Sequence, residues 1–281
     1  MIGFVVVLVA VLGGYALSGG PFAVLFQPYE LLVIGGAALG ALIVSAPGAV
    51  LKRVTSALKH GLKAKPPTKQ DYLDLLGLLY QLFQKMRRDG VLTMEEHVAD
   101  PSKSPIFTKF PSVLARHHAV HFLADGLKQL VDGCSPEDLL QLCDADVDTH
   151  EAAEHEPVGL IQSTGDALPG LGIVAAVLGI VITMGHLDAG PEEIGHHVAA
   201  ALVGTFLGIL MCYGFVGPLA TRIANQGAAD MRYMNVIKSG LLAASRGTSP
   251  QLSIEFARRA IFPDERPSGA ELEAAFQAAK G

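Results

Sequence analysis

The chain has 281 residues, half of them hydrophobic and only 17% charged, with a mean hydropathy of +0.39. That composition excludes an ordinary water-soluble domain and puts the chain in a membrane. The net charge of −6 excludes the basic footprint of a nucleic-acid binder.

Four runs carry no charge: Met1 to Tyr29, Leu31 to Leu51, Ala167 to Gly185 and Val198 to Thr221. Each is apolar enough to cross a hydrocarbon core of roughly 30 Å. They predict spans over residues 2–19, 31–51, 168–186 and 198–221. The turn-like patch Gln27-Pro28-Tyr29-Glu30 divides the first two. No basic segment precedes the first run and a second apolar run follows at once, so it reads as a retained span, not a signal peptide. All 21 Lys and Arg residues fall in 52–165 or 222–281. The links at 20–30 and 187–197 have none, and the second carries Asp188, Glu192 and Glu193. The positive-inside rule then puts both long segments and both termini in the cytoplasm. Cys134, Cys143 and Cys212 lie in those segments or within a span, as in a reduced compartment without disulfides. The expected fold is an all-α membrane protein with four transmembrane helices. A hairpin at 1–51 precedes a helical cytoplasmic domain at 52–165, a second hairpin at 166–221 and a helical cytoplasmic tail at 222–281.

Within the cytoplasmic domain, Asp71 to Met86 has the dense apolar pattern of a broadly buried helix. Arg87 and Arg88 suit its C-terminal end and Gly90 its stop. Thr93-Met94-Glu95-Glu96 reads as a capping box opening another helix, and Asp100 to Pro105 as a loop. Ser135-Pro136-Glu137-Asp138 is a strong helix start, and that helix is expected to run towards Pro157 and feed the third span. The tail continues the fourth span past Arg222, breaks near Gly247 and at Pro263 to Pro267, and ends in a short helix from Ala270 to Ala279.

Motifs that would carry enzyme chemistry fail on inspection. Gly170-Leu171-Gly172 has no strand before it and lacks the third glycine of a dinucleotide fingerprint. His150 and His155 are five apart, not four, so they do not share a helix face as zinc ligands must. His117 and His121 are spaced as a pair but have no matched ligand set, which leaves them a surface role. No Ser or Cys stands in a nucleophile setting. No span has an ionisable group near its centre; Ser45, Thr183, Thr205, Cys212 and Tyr213 are the polar groups on offer. Because buried ionisable residues mark ion routes, a chain of this kind that moves ions must take its titrating carboxylate from another chain. Small residues recur every fourth position: Ala200, Gly204, Gly208 and Cys212; Ala175, Gly179 and Thr183; Gly36 and Gly40. Such rows allow close helix contact. They suit packing within one subunit, and for the third and fourth spans together they suit an interface with another chain equally well.

Against this background, Asp166-Ala167-Leu168-Pro169-Gly170-Leu171-Gly172-Ile173-Val174-Ala175-Ala176-Val177-Leu178-Gly179 resembles the third span of the MotA family of flagellar stator proteins. Val203 to Leu210, followed by Tyr213-Gly214-Phe215 and Pro218-Leu219-Ala220, resembles its fourth. Gln27 to Glu30, Leu76 to Glu96, Ile254 to Arg259 and Glu265 to Ser268 also fit, so the resemblance runs along essentially the whole chain. It implies a non-enzymatic, ion-driven rotary stator subunit without a cofactor, set among membrane lipid in the bacterial inner membrane. Five such subunits are expected to ring two copies of a single-span, peptidoglycan-anchored MotB-like partner that supplies the membrane Asp. The charged cytoplasmic surface is expected to engage the rotor protein FliG.

Carried over by residue, the resemblance makes Arg87 and Glu95 the torque-related charges. Arg88 and Glu96 stand beside them, and the distance to Gly90 favours 87 and 95. Pro169 and Pro218 match prolines tied to coupling, Thr205 a pore-facing hydroxyl and Tyr213 a further residue of that surface. Sodium-driven relatives carry Thr where this chain has Ala176. A methyl offers sodium no oxygen ligand, so the expected ion is the proton. The related TolQ and ExbB energisers normally have three spans, which the predicted span at 2–19 argues against. A passive membrane scaffold is the other alternative.

Overall fold

The computed structural model describes residues 2–63, 65–185 and 190–278. Asp188, the end of the predicted third span at residue 186 and Ala279 lie outside them. In chain order the α-helices are α1 (Ile2–Leu17), α2 (Phe22–Leu25), α3 (Pro28–Ser45), α4 (Gly48–Lys63), α5 (Lys69–Asp89), α6 (Glu95–Ala99), α7 (Pro111–Leu114), α8 (His117–Val131), α9 (Pro136–Met184), α10 (Pro191–Met211), α11 (Gly217–Ser245), α12 (Pro250–Arg259) and α13 (Gly269–Ala278). A π-helical turn, Cys212–Val216, joins α10 to α11. The chain forms two compact units, Met1–Ala64 with Glu154–Asn225, and Lys65–Ala153 with Gln226–Gly281; the boundaries fall inside α9 and α11.

The first unit is apolar and its helices pack backbone to backbone. Along α9 and α10 the contacts form an antiparallel ladder. A Cβ built on Gly179 would stand 2.8 Å from Ala201 Cβ, and one on Gly204 3.2 Å from Ala175 Cβ. A Cβ on Gly172 would stand 2.7 Å from Gly204 O, and one on Gly208 2.5 Å from Leu168 O. Further along, Gly165 lies against Val216, and Ile161 is buried with Ala220 and Ile223. The small-residue rows of the third and fourth predicted spans are therefore spent on each other inside one chain, not held open for another. Lipid gives helices no hydrophobic drive to associate, so close backbone approach has to supply the contact energy. α3 adds Ile34 and Ala38 to the same cluster, and α4 adds Val54 to the one below. The Arg222 guanidinium donates to the carbonyls of Gly61 and Leu62 at 3.0 and 3.4 Å, satisfying the end of α4.

Among the described residues three helical segments are long and apolar enough to cross a membrane: Phe22–Ser45, Pro136–Met184 and Pro191–Ser245. α1 is apolar but shorter, with 16 residues. The second predicted span ends six residues early, at Ser45 instead of Leu51. Pro47 drives Ala46 into extended backbone (φ −144, ψ 142), and residues 48–51 start α4. The predicted turn at Gln27 to Glu30 is helical from Pro28, whose fixed φ suits a first helical position. α10 likewise starts at Pro191, inside the predicted link.

The second unit is a conventional helical core. Thr68 and Asp71 form a capping box that starts α5: Thr68 Oγ1 accepts from Asp71 N at 3.3 Å and Asp71 Oδ2 from Thr68 N at 2.7 Å. α5 buries Tyr72, Leu75, Leu76, Leu79, Leu82 and Phe83 against α8 and α12 residues such as Leu123, Leu127 and Ile254. Each such side chain contributes about 1.5–3 kcal/mol. Gly90, at φ +92, ends α5 and donates its N–H to Met86 O at 3.1 Å. The predicted capping box at Thr93 does not form. The chain runs through a 3₁₀ turn, Val91–Met94, where Thr93 Oγ1 donates back to Gly90 O and α6 starts without a side-chain cap. A 3₁₀ turn at Pro101–Lys103 occupies the predicted loop. Ser135 caps α9 as expected, accepting from Asp138 N at 3.1 Å. α9 does not stop at Pro157; it contains both Pro157 and Pro169.

The ladder makes a direct expectation. Gly208→Ala and Gly172→Ala should lower the thermal stability of the detergent-solubilised protein by about 1–3 kcal/mol through overpacking. Gly170→Ala, where a Cβ meets nothing within 4 Å, should not lower it. Equal behaviour of all three would refute the ladder.

Candidate functional site

Of the ion-path residues expected from the sequence, Pro169 and Ala176 lie on α9, Thr205 on α10, Tyr213 in the π turn and Pro218 in α11. A Cβ on Gly204 would stand 3.2 Å from the backbone N of Ala176, and Thr205 follows Gly204. Ala176 is buried, its backbone N in the helix contact; Thr205 is half-buried, its Cα 3.3 Å from a Cβ on Gly172. Helical hydroxyls elsewhere in this unit turn back on their own backbone. Thr183 donates to Gly179 O, Thr221 to Gly217 O, Ser163 to Gly159 O and Thr164 to Leu160 O. Among the described residues Thr205 makes no such bond, so its hydroxyl keeps both donor and acceptor capacity.

Pro169 and Pro218 are neither helix boundaries nor neighbours of that pair. Pro169 has no N–H for the carbonyl of Gly165, and Pro218 none for that of Gly214. The two weakened stretches adjoin, because Gly165 lies against Val216. At Pro218 the helix widens into the π turn just before it, a common response where the i→i−4 pattern breaks. Tyr213 lies in that turn and is 72% exposed. α1 covers another side, with Phe4 stacked on Phe215 at 5.4 Å.

Sequence reasoning missed Glu30. It was read as part of a turn, yet it is the only charge between Met1 and Leu51, and a lone acid between two apolar runs was the signal. Its Oε2 would be 2.7 Å from a Cβ on Gly204 and its Oε1 3.5 Å from one on Gly179.

In the second unit, Arg87 ends α5 and Glu95 starts α6, both exposed. Arg87 borders a groove of about 460 Å³ with Tyr80, Gln84, Ser249 and Gln251. The structure does not pair Arg87 with Glu95. Their neighbours are the ones engaged: Arg88 Nε lies 2.7 Å from Asp89 Oδ1, and Lys85 Nζ 2.9 Å from Glu96 Oε1. Those bonds hold Asp89 and Glu96 below the usual carboxylate range. Among the described residues Arg87 and Glu95 form no ion pair. Beneath them His97 is fully buried, its Nδ1 2.7 Å from Ser104 Oγ. Burial first, and the Lys85 charge second, lower its pKa. His117, His118 and His121 are exposed, and His150 lies 3.5 Å from Asp146. Among the described residues no group of three or more His, Cys, Asp or Glu could hold a metal. Cys134, Cys143 and Cys212 are free thiols, and burial pushes Cys143 up to about 11.

Helices with long uncharged stretches that pack through glycine in one unit, and a charged helical second unit, define a multi-pass α-helical membrane protein. Family models match both parts: Motility protein A N-terminal over residues 1–90, and the MotA/TolQ/ExbB proton channel family over residues 115–235. Motility protein A of Salmonella typhimurium is 38% identical over 274 residues, 97% of this chain and 93% of its own. That of Escherichia coli is 38% identical over 281 residues, 100% and 95% of the two chains. Chemotaxis protein LafT of Vibrio parahaemolyticus is 36% identical, covering 97% and 96%. The fold is that of C. jejuni MotAB (TM-score 0.80, 20% identity, 95% of this chain and 97% of that one). It also matches the flagellar MotAB stator complex of Bacillus subtilis (0.77, 24%, 94% and 96%). The chain belongs to the MotA/TolQ/ExbB proton channel family, in its motility protein A branch. It is a flagellar motor stator subunit that couples ion flow to torque on the rotor, and not an enzyme. Near full-length similarity to motility proteins sets aside the energiser and scaffold alternatives.

His97 gives a pH expectation. Its folded pKa lies below the ordinary value of 6.5, so the unfolded state takes up a proton first as pH falls. Its contribution is whole above that value and declines between about pH 7 and pH 5. Amide protection in peptides covering residues 95–107 should fall over that window in hydrogen exchange. His97→Asn should flatten the pH dependence.

Proposed function

We propose that this stator subunit conducts protons along one face of the α9–α10 pair, with a single-span MotB-like partner supplying the titrating Asp. The observation that carries the reading is the Thr205 hydroxyl. It is left unbonded by its own helix where the backbones of α9 and α10 meet, against Gly172 and one turn from Ala176, which offers no oxygen to a sodium ion. Apolar side chains exposed on the pair, among them Val174, Val177, Val181 and Tyr213, favour cover by further helices. Five subunits around two copies of the partner, with lipid outside, is the arrangement we infer. MotAB complexes share the fold, which supports this assembly.

α1 is taken as a fourth span, one that crosses with the help of its flanking residues. The Lys and Arg distribution favours cytoplasmic termini in the inner membrane. We keep the division into hairpins at 1–51 and 166–221 and cytoplasmic segments at 52–165 and 222–281. Pro169 and Pro218 act as the flexible points of the pair, because each frees a carbonyl and so softens its helix. Arg87 and Glu95 engage FliG. Exposed charges without a local partner are free to pair across an interface, whereas Arg88 and Glu96 already have partners.

Two sets of variants test this in a stator-deficient bacterium that carries the chain and its partner. Arg87→Glu and Glu95→Lys should abolish swarming while changing stability by less than about 0.5 kcal/mol. Arg88→Glu and Glu96→Lys should have milder effects. Wild-type swarming by the first pair would remove the assignment. Thr205→Ala should cut proton flux by about fivefold, the worth of one hydrogen bond. Motility that requires sodium would overturn the proton reading.

A further inference from the structure

The carboxylate of Glu30 is not left in solvent. It sits in the first turn of α3 and turns towards α9 and α10, where glycines on both helices make room for it. Oε2 is closed off from solvent and, among the described residues, has no hydrogen-bond partner. It lies against Gly204, whose other side meets the backbone of Ala176. No Lys or Arg occurs in residues 1–51 or 166–221 to pair with it. Leaving that closed-off oxygen charged and unpaired is unfavourable. A proton removes that cost and gives the group an O–H to donate. Ala at Gly204 would put a methyl 2.7 Å from Oε2 and force the carboxylate to shift.

We propose that Glu30 is a second proton-exchanging carboxylate of the path, supplied by this subunit itself. The proposal rests on the proton reading above. An O–H bond of hydronium at the outer mouth breaks as one forms on Glu30 Oε2, leaving water. That new O–H then breaks as the proton passes, through water or the Thr205 hydroxyl, to the ionised carboxylate of the membrane partner. Glu30 returns to its charged form, ready for the next proton. One proton crosses each time, and no electrons are exchanged.

The test uses the chain co-purified with its single-span partner and reconstituted into vesicles. Proton flux is measured under a fixed gradient, and carboxyl C=O bands are read by infrared difference spectroscopy. Glu30→Gln should lower flux by at least about tenfold and remove one protonated-carboxyl band while the partner still co-purifies. Glu30→Asp should restore part of both signals. Gly204→Ala should lower flux with Glu30 still present. Wild-type flux and an unchanged band in Glu30→Gln would overturn the proposal. So would loss of partner binding in both Glu30 variants, which would mark a structural role. The arms separate the two readings. If the partner's carboxylate-to-amide change stops flux and Glu30→Gln does not, the proton reading stands and Glu30 alone falls. If the wild-type complex carries no protons, both fall.

Discussion

The first unit depends on the absence of side chains where α9 meets α10. Gly172, Gly204 and Gly208 let the two backbones touch, and a single methyl at any of them would meet a carbonyl or a carboxylate oxygen at 2.5–2.7 Å. In lipid this matters more than in water, because apolar side chains gain little by leaving one hydrocarbon for another. Contact at backbone distance fixes the pair's register. Register in turn sets Thr205 against Gly172 and Gly204 against Ala176, and opens the space that Glu30 fills. The chemistry of the pair thus follows from where carbon is missing.

Much of this was legible in the residues. Uncharged runs marked the membrane helices, and Thr68 to Gly90 and Ser135 to Asp138 carried local end signals strong enough to act without help. What was not legible depended on contacts. The small-residue rows could face inward or outward, since their spacing shows that a close neighbour exists but not which chain it belongs to. Thr93 had the composition of a cap but lost the competition to Gly90 O, because the left-handed glycine had already bent the chain into a 3₁₀ turn. Pro47 was overlooked inside an apolar run, although a proline that extends its predecessor ends a helix whatever the hydropathy. Glu30 belonged to a turn-like patch, and spacing alone does not show which helices its carboxylate meets.

Charge in the second unit has a different logic. Lys85–Glu96 and Arg88–Asp89 are short local pairs on an exposed surface, and such pairs add little to stability. Their effect is one of selection. By engaging their neighbours they leave Arg87 and Glu95 as the uncommitted charges of the α5–α6 corner. The core below keeps His97 buried, its Nδ1 on Ser104 Oγ, under that corner.

The π turn has a geometric consequence. In a straight α-helix a row spaced every fourth residue does not stay on one face; it creeps by about 40° per step, because four residues overshoot a 3.6-residue turn. Gly204, Gly208, Cys212, Val216 and Ala220 form such a row, yet its members meet α9 in succession from Ala176 down to Ile161. The wider turn at Cys212–Val216 underwinds the helix and so works against that creep. Pro218 thus works as a phase corrector. It keeps a longer stretch of one helix in contact with another than either sequence spacing or ideal geometry would allow.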